Sequence, residues 1–282
     1  MKNICFYCAI LCILITSTTV AQDQVSFLFV GHTIQIETAG TKVDYRLQQL
    51  DMSPYAGIWL GGDMCGESML NYSTMQHIDS VFDLGNPETH WTLGNHDARN
   101  GNWELYEEFT GRKTYYAYNS HDITYIVFNT NLVPTNCIMI NEQYDIISAV
   151  CDTIQQSKYL ILLMHHGLWR DVPDLPPPAT YAHSDLRYWN ANCDSVNTNF
   201  ASVIYPKLVE VKQRGVDVIC VLGDMGASKK KFQMDSVDDI HFLGCGLNEN
   251  DPEDWVLIFN YNTVTQELDY NFHHLDSLLI NN

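Results

Sequence analysis

Five apolar runs in this chain end abruptly in residue types that bind metal ions. They are FLFVGH ending at His32, IWLGGD at Asp63, HWTLGNHD at Asn95 to Asp97, YLILLMHH at His165 and His166, and VICVLGD at Asp224. In open α/β sheets, ligands bind outside the carboxyl ends of the strands. One such ending is ordinary turn chemistry, but five endings with carboxylate, amide and imidazole groups predict a metal site at one sheet edge.

The elements that must position these residues are visible in the hydrophobic pattern. Apolar runs of strand length alternate with stretches of helical period, which predicts an α/β layered fold. We expect strands at 26–31, 57–61, 89–93, 123–129, 159–164 and 217–222, and helices at 42–52, 74–83, 102–109, 140–157 and 199–214. After residue 240, HFLGCGL, DWVLIFNYN and QELDYNFHHL are typical of successive strands in an antiparallel closing section.

The segment 168–198 is predicted to be a long loop, because it holds four of the nine prolines and has no sustained period. It is either an ordered flap near a site or a surface insertion without a role.

Residues 1–21 have the pattern of a secretory signal peptide, so we expect one exported domain over 22–282, periplasmic or extracellular. The mature chain keeps six of the nine cysteines, which permits disulfides of unreadable connectivity.

Charge narrows the set of partners. The formal net charge of −19 disfavours duplex nucleic acid, since binding a polyanion needs Lys and Arg to neutralise its phosphates. No later run is long and apolar enough for a membrane span. A small anionic substrate is still compatible, because it responds to the local field of its pocket. The absence of a Gly-x-Ser-x-Gly motif disfavours a serine esterase.

The order of the strand-end motifs resembles that of the calcineurin-like metallophosphoesterases. That pattern runs Asp-x-His, Gly-Asp, Gly-Asn-His-Asp/Glu, a strand-terminal His and Gly-His-x-His. Here Gly62-Asp63 and Gly94-Asn95-His96-Asp97 match fully, and His165 matches the fourth motif. The resemblance extends over about residues 26 to 262. It implies a β-sandwich flanked by helices, in four α/β/β/α layers, and metal-dependent hydrolysis of small phosphomonoesters or phosphodiesters.

Mapped residue by residue, the resemblance also implies roles. One ion would be held by Asp63, Asn95, His165 and Asp224, a set that suits manganese, iron or zinc. His96 would be the catalytic proton donor, with Asp97 fixing its orientation.

Two departures from the pattern affect a second ion. Val30 stands where the first motif has Asp, and Gly226 where the last has His. The second position keeps only His32 and the shared Asp63, so we expect about one tightly bound ion unless His121, His183 or a loop carboxylate supplies a ligand. Val30→Asp with Gly226→His should then raise the metal count.

Two questions stay open from the sequence. His32 could bind phosphate instead of metal, and His166 and His183 are further candidates for substrate binding. The alternative function is a degenerate, non-catalytic protein of the same fold that binds a metal or a phosphorylated ligand.

Overall fold

The computed structural model describes residues 23–99, 102–132, 136–184, 200–226, 229–249 and 251–279. The predicted signal peptide, Cys193 and residues 185–198 of the predicted long loop lie outside the described residues. None of the helices in the described ranges has the length and apolar content of a membrane-spanning segment.

Eleven strands and seven α-helices make up the described fold. The strands are β1 (Gln24–Val30), β2 (Gly57–Leu60), β3 (Thr89–Trp91), β4 (Tyr116–Ser120), β5 (Ile123–Val127), β6 (Tyr159–Met164), β7 (Asp217–Leu222), β8 (Lys231–Asp235), β9 (His241–Cys245), β10 (Trp255–Asn262) and β11 (Glu267–His274). The helices are α1 (Tyr45–Gln49), α2 (Tyr72–Phe82), α3 (Asn95–Ala98), α4 (Glu104–Thr110), α5 (Cys137–Thr153), α6 (Tyr205–Gln213) and α7 (Leu275–Leu279). A π-helical segment, Phe200–Ile204, leads directly into α6.

The strands form two mixed sheets. The first has the order β11-β10-β1-β2-β3, with β1, β2 and β3 parallel and β10 antiparallel to both of its neighbours. The second has the order β4-β5-β6-β7-β9-β8, with four parallel central strands and an antiparallel strand at each edge. Because β1–β3 and β5–β7 are parallel within their sheets, each set delivers its carboxyl ends to one edge.

Three apolar clusters hold the layers together. The cluster between the sheets includes Phe27, Trp59, Tyr125 and Leu163, all nearly inaccessible to solvent. A second cluster packs the outer face of the first sheet against α1, α2 and α4, and a third packs the outer face of the second sheet against α5 and α6. The predicted four-layer α/β/β/α sandwich is therefore confirmed.

The predicted strands and helices are all present, with ends that differ by a few residues. The closing section differs in its pairing. Strands β10 and β11 form the expected antiparallel hairpin, but β9 pairs in parallel with β7 and belongs to the second sheet. The prediction of one antiparallel closing section was wrong for β9, because its apolar residues are buried on both faces of the second sheet, Phe242 on the outer face and Leu243 between the sheets, as suits a strand beside β7. Strand β8, which pairs with β9, was not predicted.

Three glycines bring the two sheets into contact at the carboxyl edge. Gly31 and Gly61 follow β1 and β2 in the first sheet, and Gly223 follows β7 in the second. A Cβ atom added to Gly223 would lie 2.0 Å from the carbonyl oxygen of Gly61, and one added to Gly31 would lie 2.6 Å from Cα of Gly223. Side chains at these positions would push the sheets apart, so the glycines set the separation of the strand-end motifs.

Candidate metal centre

The five strand-end motifs lie together at this carboxyl edge. Nε2 of His165, after β6, lies 3.6 Å from Oδ2 of Asp63 and 3.9 Å from Oδ1 of Asp224. The same nitrogen lies 3.3 Å from Oδ1 of Asn95, the first residue of α3. His32, after β1, reaches the same oxygen of Asp63 with its Nε2, at 4.0 Å.

The ring of His165 is oriented by the backbone of the other sheet. Its Nδ1 donates to the carbonyl oxygen of Gly61 at 2.8 Å, which leaves Nε2 facing the oxygens of Asp63 and Asp224. Burial opposes a charge on this ring, but the carboxylates of Asp63 and Asp224 outweigh it and raise the pKa of His165. Acceptor atoms that face one another in this way need a cation between them, either a proton or a metal ion.

Asp63 is held so that one carboxylate oxygen is free. Its backbone is left-handed, with φ 54°, directly after Gly62 with φ 87°. Oδ1 accepts a hydrogen bond from the backbone N–H of His96 at 2.8 Å. Oδ2 is the atom that faces both His165 and His32, so a single oxygen is shared between the two histidines.

The carboxylate of Asp97 stabilises the loop that contains Asp63. Its fully buried carboxylate accepts hydrogen bonds from the backbone N–H groups of Asp63 (2.6 Å), Met64 (3.0 Å) and Gly94 (2.9 Å), and from the hydroxyl of Ser68. The expected role, fixing the orientation of the His96 ring, is not what these contacts describe. These hydrogen bonds instead join the motif that ends at Asp63 to the motif that begins at Gly94, because one carboxylate accepts hydrogen bonds from the backbone of both.

The His96 ring has two neighbours that suit different protonation states. Its Nδ1 lies 3.0 Å from Nη2 of Arg99 and 3.3 Å from the carbonyl oxygen of Gly66. A guanidinium only donates, so its contact fits a neutral ring with the proton on Nε2. A carbonyl only accepts, so its contact fits a ring protonated on Nδ1. Arg99 was not among the sequence candidates, because an exposed Arg at a helix end carries no distinctive pattern.

His32 is oriented by the closing section of the chain. Its Nδ1 donates to the carbonyl oxygen of Leu247 at 3.2 Å, which turns Nε2 towards Asp63. Burial lowers the pKa of His32 and favours the neutral ring, although Asp63 opposes this effect. A Cβ atom at Gly226 would lie 2.0 Å from Nδ1 of His32, so the ring occupies the space of the missing side chain.

His166 lies closer to the centre than its sequence position alone indicated. A ring nitrogen of His166 lies within 4.8 Å of ligand atoms of both His165 and Asp224. Its Nδ1 is 2.6 Å from the hydroxyl of Thr130. Burial, with the neighbouring His165, lowers the pKa of His166 to about 3, so its imidazole is neutral.

The described part of the predicted long loop packs against the site. The backbone N–H of His183 donates to the carbonyl oxygen of Asp224 at 3.0 Å, and the Ser184 hydroxyl bonds to the Asp224 carboxylate. The rings of His183 and His32 lie 6.2 Å apart, centroid to centroid. His121, the other histidine weighed as a ligand, lies at the opposite end of the sheets, beside Glu88 and Phe27.

The atoms around His165 fit a divalent cation. Protein atoms bound to one ion at about 2.0–2.2 Å can be at most about 4.4 Å apart. The three distances from Nε2 of His165, to Asp63, Asn95 and Asp224, are 3.6, 3.3 and 3.9 Å, so each of these atoms can share an ion with His165. Among the described residues, the group of three or more His, Asp, Glu and Cys donor atoms that all lie within 4.8 Å of one another belongs to His165, His166 and Asp224. Two carboxylates, an amide oxygen and an imidazole form a donor set that suits manganese, iron or zinc.

Comparison with known proteins gives likenesses of fold. No family model and no curated protein matches the chain. It resembles the crystal structure of a dimetal phosphatase from Danio rerio, with 11% sequence identity over 87% of this chain and 98% of that chain, and a TM-score of 0.48. It also resembles a 5′-nucleotidase precursor from Thermus thermophilus, with 10% identity, 89% of this chain covered and a TM-score of 0.44. The chain spans 54% of the length of that nucleotidase.

A third likeness is to Vps29 complexed with Zn²⁺ from Entamoeba histolytica, with 12% identity, 89% of this chain and 99% of that chain covered, and a TM-score of 0.35. At these identities and scores, the likenesses concern the fold alone. The function of the chain has to be inferred from the geometry of its own site.

Proposed function

We propose that this chain is a divergent calcineurin-like metallophosphoesterase that hydrolyses small phosphomonoesters or phosphodiesters. The observation that carries the proposal is the position of the His165 ring, whose Nε2 faces oxygens of Asp63, Asn95 and Asp224 delivered by three other strand ends. Carboxylate, amide and imidazole donors grouped in this way suit the binding of a divalent ion.

The ion would be held by Asp63, Asn95, His165 and Asp224, with His166 as a neighbouring imidazole. A bound divalent ion lowers the pKa of its water and polarises a phosphoryl oxygen. About one ion is expected to bind tightly, since Val30 and Gly226 provide no donor atoms for a second. The manganese, iron or zinc identity stays a prediction.

The protein's own residues would bind and orient the ester. Protonated on both ring nitrogens, His96 would donate a proton from Nε2 to the leaving oxygen while its Nδ1–H donates to the Gly66 carbonyl. After that transfer, the neutral ring would carry its remaining proton on Nδ1, where the Gly66 carbonyl accepts it. His32 and His183, on the open side of the site, would contact the phosphate.

The second candidate function is a non-catalytic relative that binds a metal or phosphorylated ligand. It is favoured by the loss of the two donors at Val30 and Gly226, which reduces the usual clamp on the attacking and leaving oxygens. Export to the periplasm or the extracellular space remains a prediction for either function.

Variants of the two residue classes test the proposal. Asp63→Ala and His165→Ala should lose the bound ion, whereas His96→Ala should keep the ion and lose turnover, because His96 handles a proton. His121→Ala, at the opposite end of the sheets, is the matched control and should leave both unchanged. Metal content by elemental analysis and hydrolysis of an aryl phosphate are measured on the same samples; equal metal loss in the His96 and Asp63 variants would show that the roles are wrong.

A further inference from the structure

We infer that His32, Asp63 and His183 form a second, weaker divalent-cation site, in which His183 from the long loop supplies a ligand that the last strand-end motif lacks. The inference rests on the proposed function, since Asp63 is shared with the ion at His165. It assigns His183 to the metal instead of to the phosphate alone.

The first two donors are already aimed at a common point. Oδ2 of Asp63 and Nε2 of His32 are 4.0 Å apart, which is within the limit of about 4.4 Å for two atoms on one ion. The Nε2 lone pair of His32 is free because its Nδ1 donates to Leu247. Oδ1 of Asp63 is occupied by the N–H of His96, so Oδ2 is the oxygen that remains for metal.

The third donor is the exposed ring of His183. An ion bound by an imidazole nitrogen at about 2.1 Å lies about 3.2 Å from the ring centroid, so two rings on one ion have centroids at most about 6.4 Å apart. The centroids of His183 and His32 are 6.2 Å apart, with ring planes inclined at 69°. The two rings are therefore within reach of a common ion. The described donor atoms of His32, Asp63 and His183 do not form a group within 4.8 Å of one another, so the His183 ring has to turn towards Asp63 to bind that ion.

The backbone of His183 is fixed while its side chain is exposed. Its N–H donates to the carbonyl oxygen of Asp224, and Nζ of Lys229 contacts the carbonyl oxygens of Ala179 and Ala182 just before it. A fixed backbone keeps the ring beside His32, and exposure lets the ring turn towards an ion. Exposure also opens the position to water, so binding should be weaker than at the buried His165.

Packing explains why the ligand has to come from elsewhere. The ring of His32 occupies the space of any side chain at Gly226, so the last motif cannot supply a donor there without displacing His32. Charge favours a second cation as well. Asp63, Asp97 and Asp224 bring three carboxylates together, and one divalent ion balances two of their charges.

The test counts ions on the full-length protein with Mn²⁺ as the probe. Metal-stripped wild type, His183→Ala and the control His121→Ala are dialysed against Mn²⁺ from micromolar to millimolar concentration, and bound metal is measured by elemental analysis. We expect the wild type and the control to bind a second ion at higher concentration. His183→Ala should bind the first ion normally and the second at least about tenfold more weakly, since even an indirect support of a ligand is worth 10–100-fold.

Electron paramagnetic resonance gives a second readout. Two Mn²⁺ ions that share the Asp63 carboxylate should show exchange coupling, and His183→Ala should show the spectrum of isolated Mn²⁺. Thermal unfolding checks that the variant is folded, as expected for an exposed side chain. If the wild type binds only one ion even at millimolar Mn²⁺, the inference is overturned. It is also overturned if His183→Ala binds the second ion as tightly as the wild type does. Either result leaves the proposed function intact. Failure of the first ion to bind defeats the proposed function instead.

Discussion

The ring of His32 lies where a side chain at residue 226 would have to go, because a Cβ atom there would be 2.0 Å from Nδ1 and 2.3 Å from Cε1 of that ring. The position of the His32 ring therefore requires glycine at residue 226. This packing determines the effects that we expect from substitutions at Val30 and Gly226, the two departures from the family pattern.

Gly226→Ala should displace His32 from Asp63. The added methyl group cannot fit unless the ring moves, and the displaced ring loses its bond to Leu247. We expect unchanged binding of the first Mn²⁺ and loss of the second, measured by dialysis and elemental analysis. Gly85→Ala is the matched control, since its Cβ would meet only the carbonyl oxygen of Phe109 at 3.8 Å. Two-ion binding by Gly226→Ala would show that the packing adapts.

Val30→Asp with Gly226→His, the restoration that the family pattern implies, should fail. Val30 is fully buried in the apolar cluster beneath α1 and α2, so an Asp there places a carboxylate among apolar side chains. An unpaired buried charge costs about 3–5 kcal/mol. We expect a lower free energy of unfolding in urea and no added ion; a double variant that is stable and binds two ions tightly would contradict this.

Asp97→Asn should loosen the loop that carries Asp63. The amide replaces one acceptor oxygen by a donor that faces backbone N–H groups, so at least one buried N–H of Asp63, Met64 or Gly94 loses its partner. We expect a loss of about 2–3 kcal/mol in the free energy of unfolding and weaker binding of the first ion. Asp152→Asn, on the surface, should change neither quantity. Unchanged stability in the Asp97 variant would show that the hydrogen bonds are dispensable.

Arg99→Met should raise kcat with little change in KM. The guanidinium contacts Nδ1 of His96 and fits only the neutral ring, whereas the proposed proton donor is the ring protonated on both nitrogens, with Nδ1 donating to the Gly66 carbonyl. Removing the nearby cation favours the charged ring, so we expect an increase of roughly two- to tenfold, and Arg99→Lys, which keeps the positive charge, should stay near wild type. Glu67→Gln, which removes the 4.0 Å ion-pair partner of Arg99, is the control and should keep kcat. A kcat in Arg99→Met that is equal to or below that of wild type would contradict this role of Arg99.

His90 should make the fold sensitive to acid. Burial, with the nearby Arg112 guanidinium, lowers the pKa of His90 from 6.5 to about 3. Below about pH 6.5 the unfolded chain takes up a proton on this ring and the folded chain does not. Stability should therefore fall with falling pH, by up to about 1.4 kcal/mol per unit from this residue. The free energy of unfolding in urea is measured against pH for wild type and His90→Phe. The difference between the two proteins should be constant above pH 7 and change below pH 6. A difference that stays the same at all pH values would contradict this role of His90.

The sequence predicted the parts of the fold that depend on buried apolar runs. Strands β1, β2, β6 and β7 are such runs, and each is followed within three residues by a His or an Asp, so their positions and their common edge could be predicted. Strand β8 could not be, because Lys231–Asp235 is short and mostly polar and is stabilised by pairing with β9. The sheet to which β9 belongs depends on tertiary pairing, which the hydrophobic pattern does not record.

The sequence predicted the site residues that directly follow a strand, because the order of the strands determines their positions. It predicted the contacts of residues on loops less well. The contacts of Asp97 with Asp63 and Gly94 depend on a left-handed turn that no periodicity reveals. The place of His183 beside His32 depends on a long connection whose path has no sequence signature. Arg99 is one exposed charge among many.

Metal-dependent turnover is the most direct test of the central claim, that strand-end residues around His165 hold an ion needed for phosphoester hydrolysis. The purified protein is assayed with an aryl phosphomonoester and an aryl phosphodiester as isolated, after removal of metal with a chelator, and after reloading with Mn²⁺ or Zn²⁺. We predict hydrolysis of at least one substrate, its loss with the metal, its return on reloading, and no return in His165→Ala. Protein that holds one ion per chain at this site yet hydrolyses neither substrate, or that hydrolyses them equally well without metal, would contradict the claim.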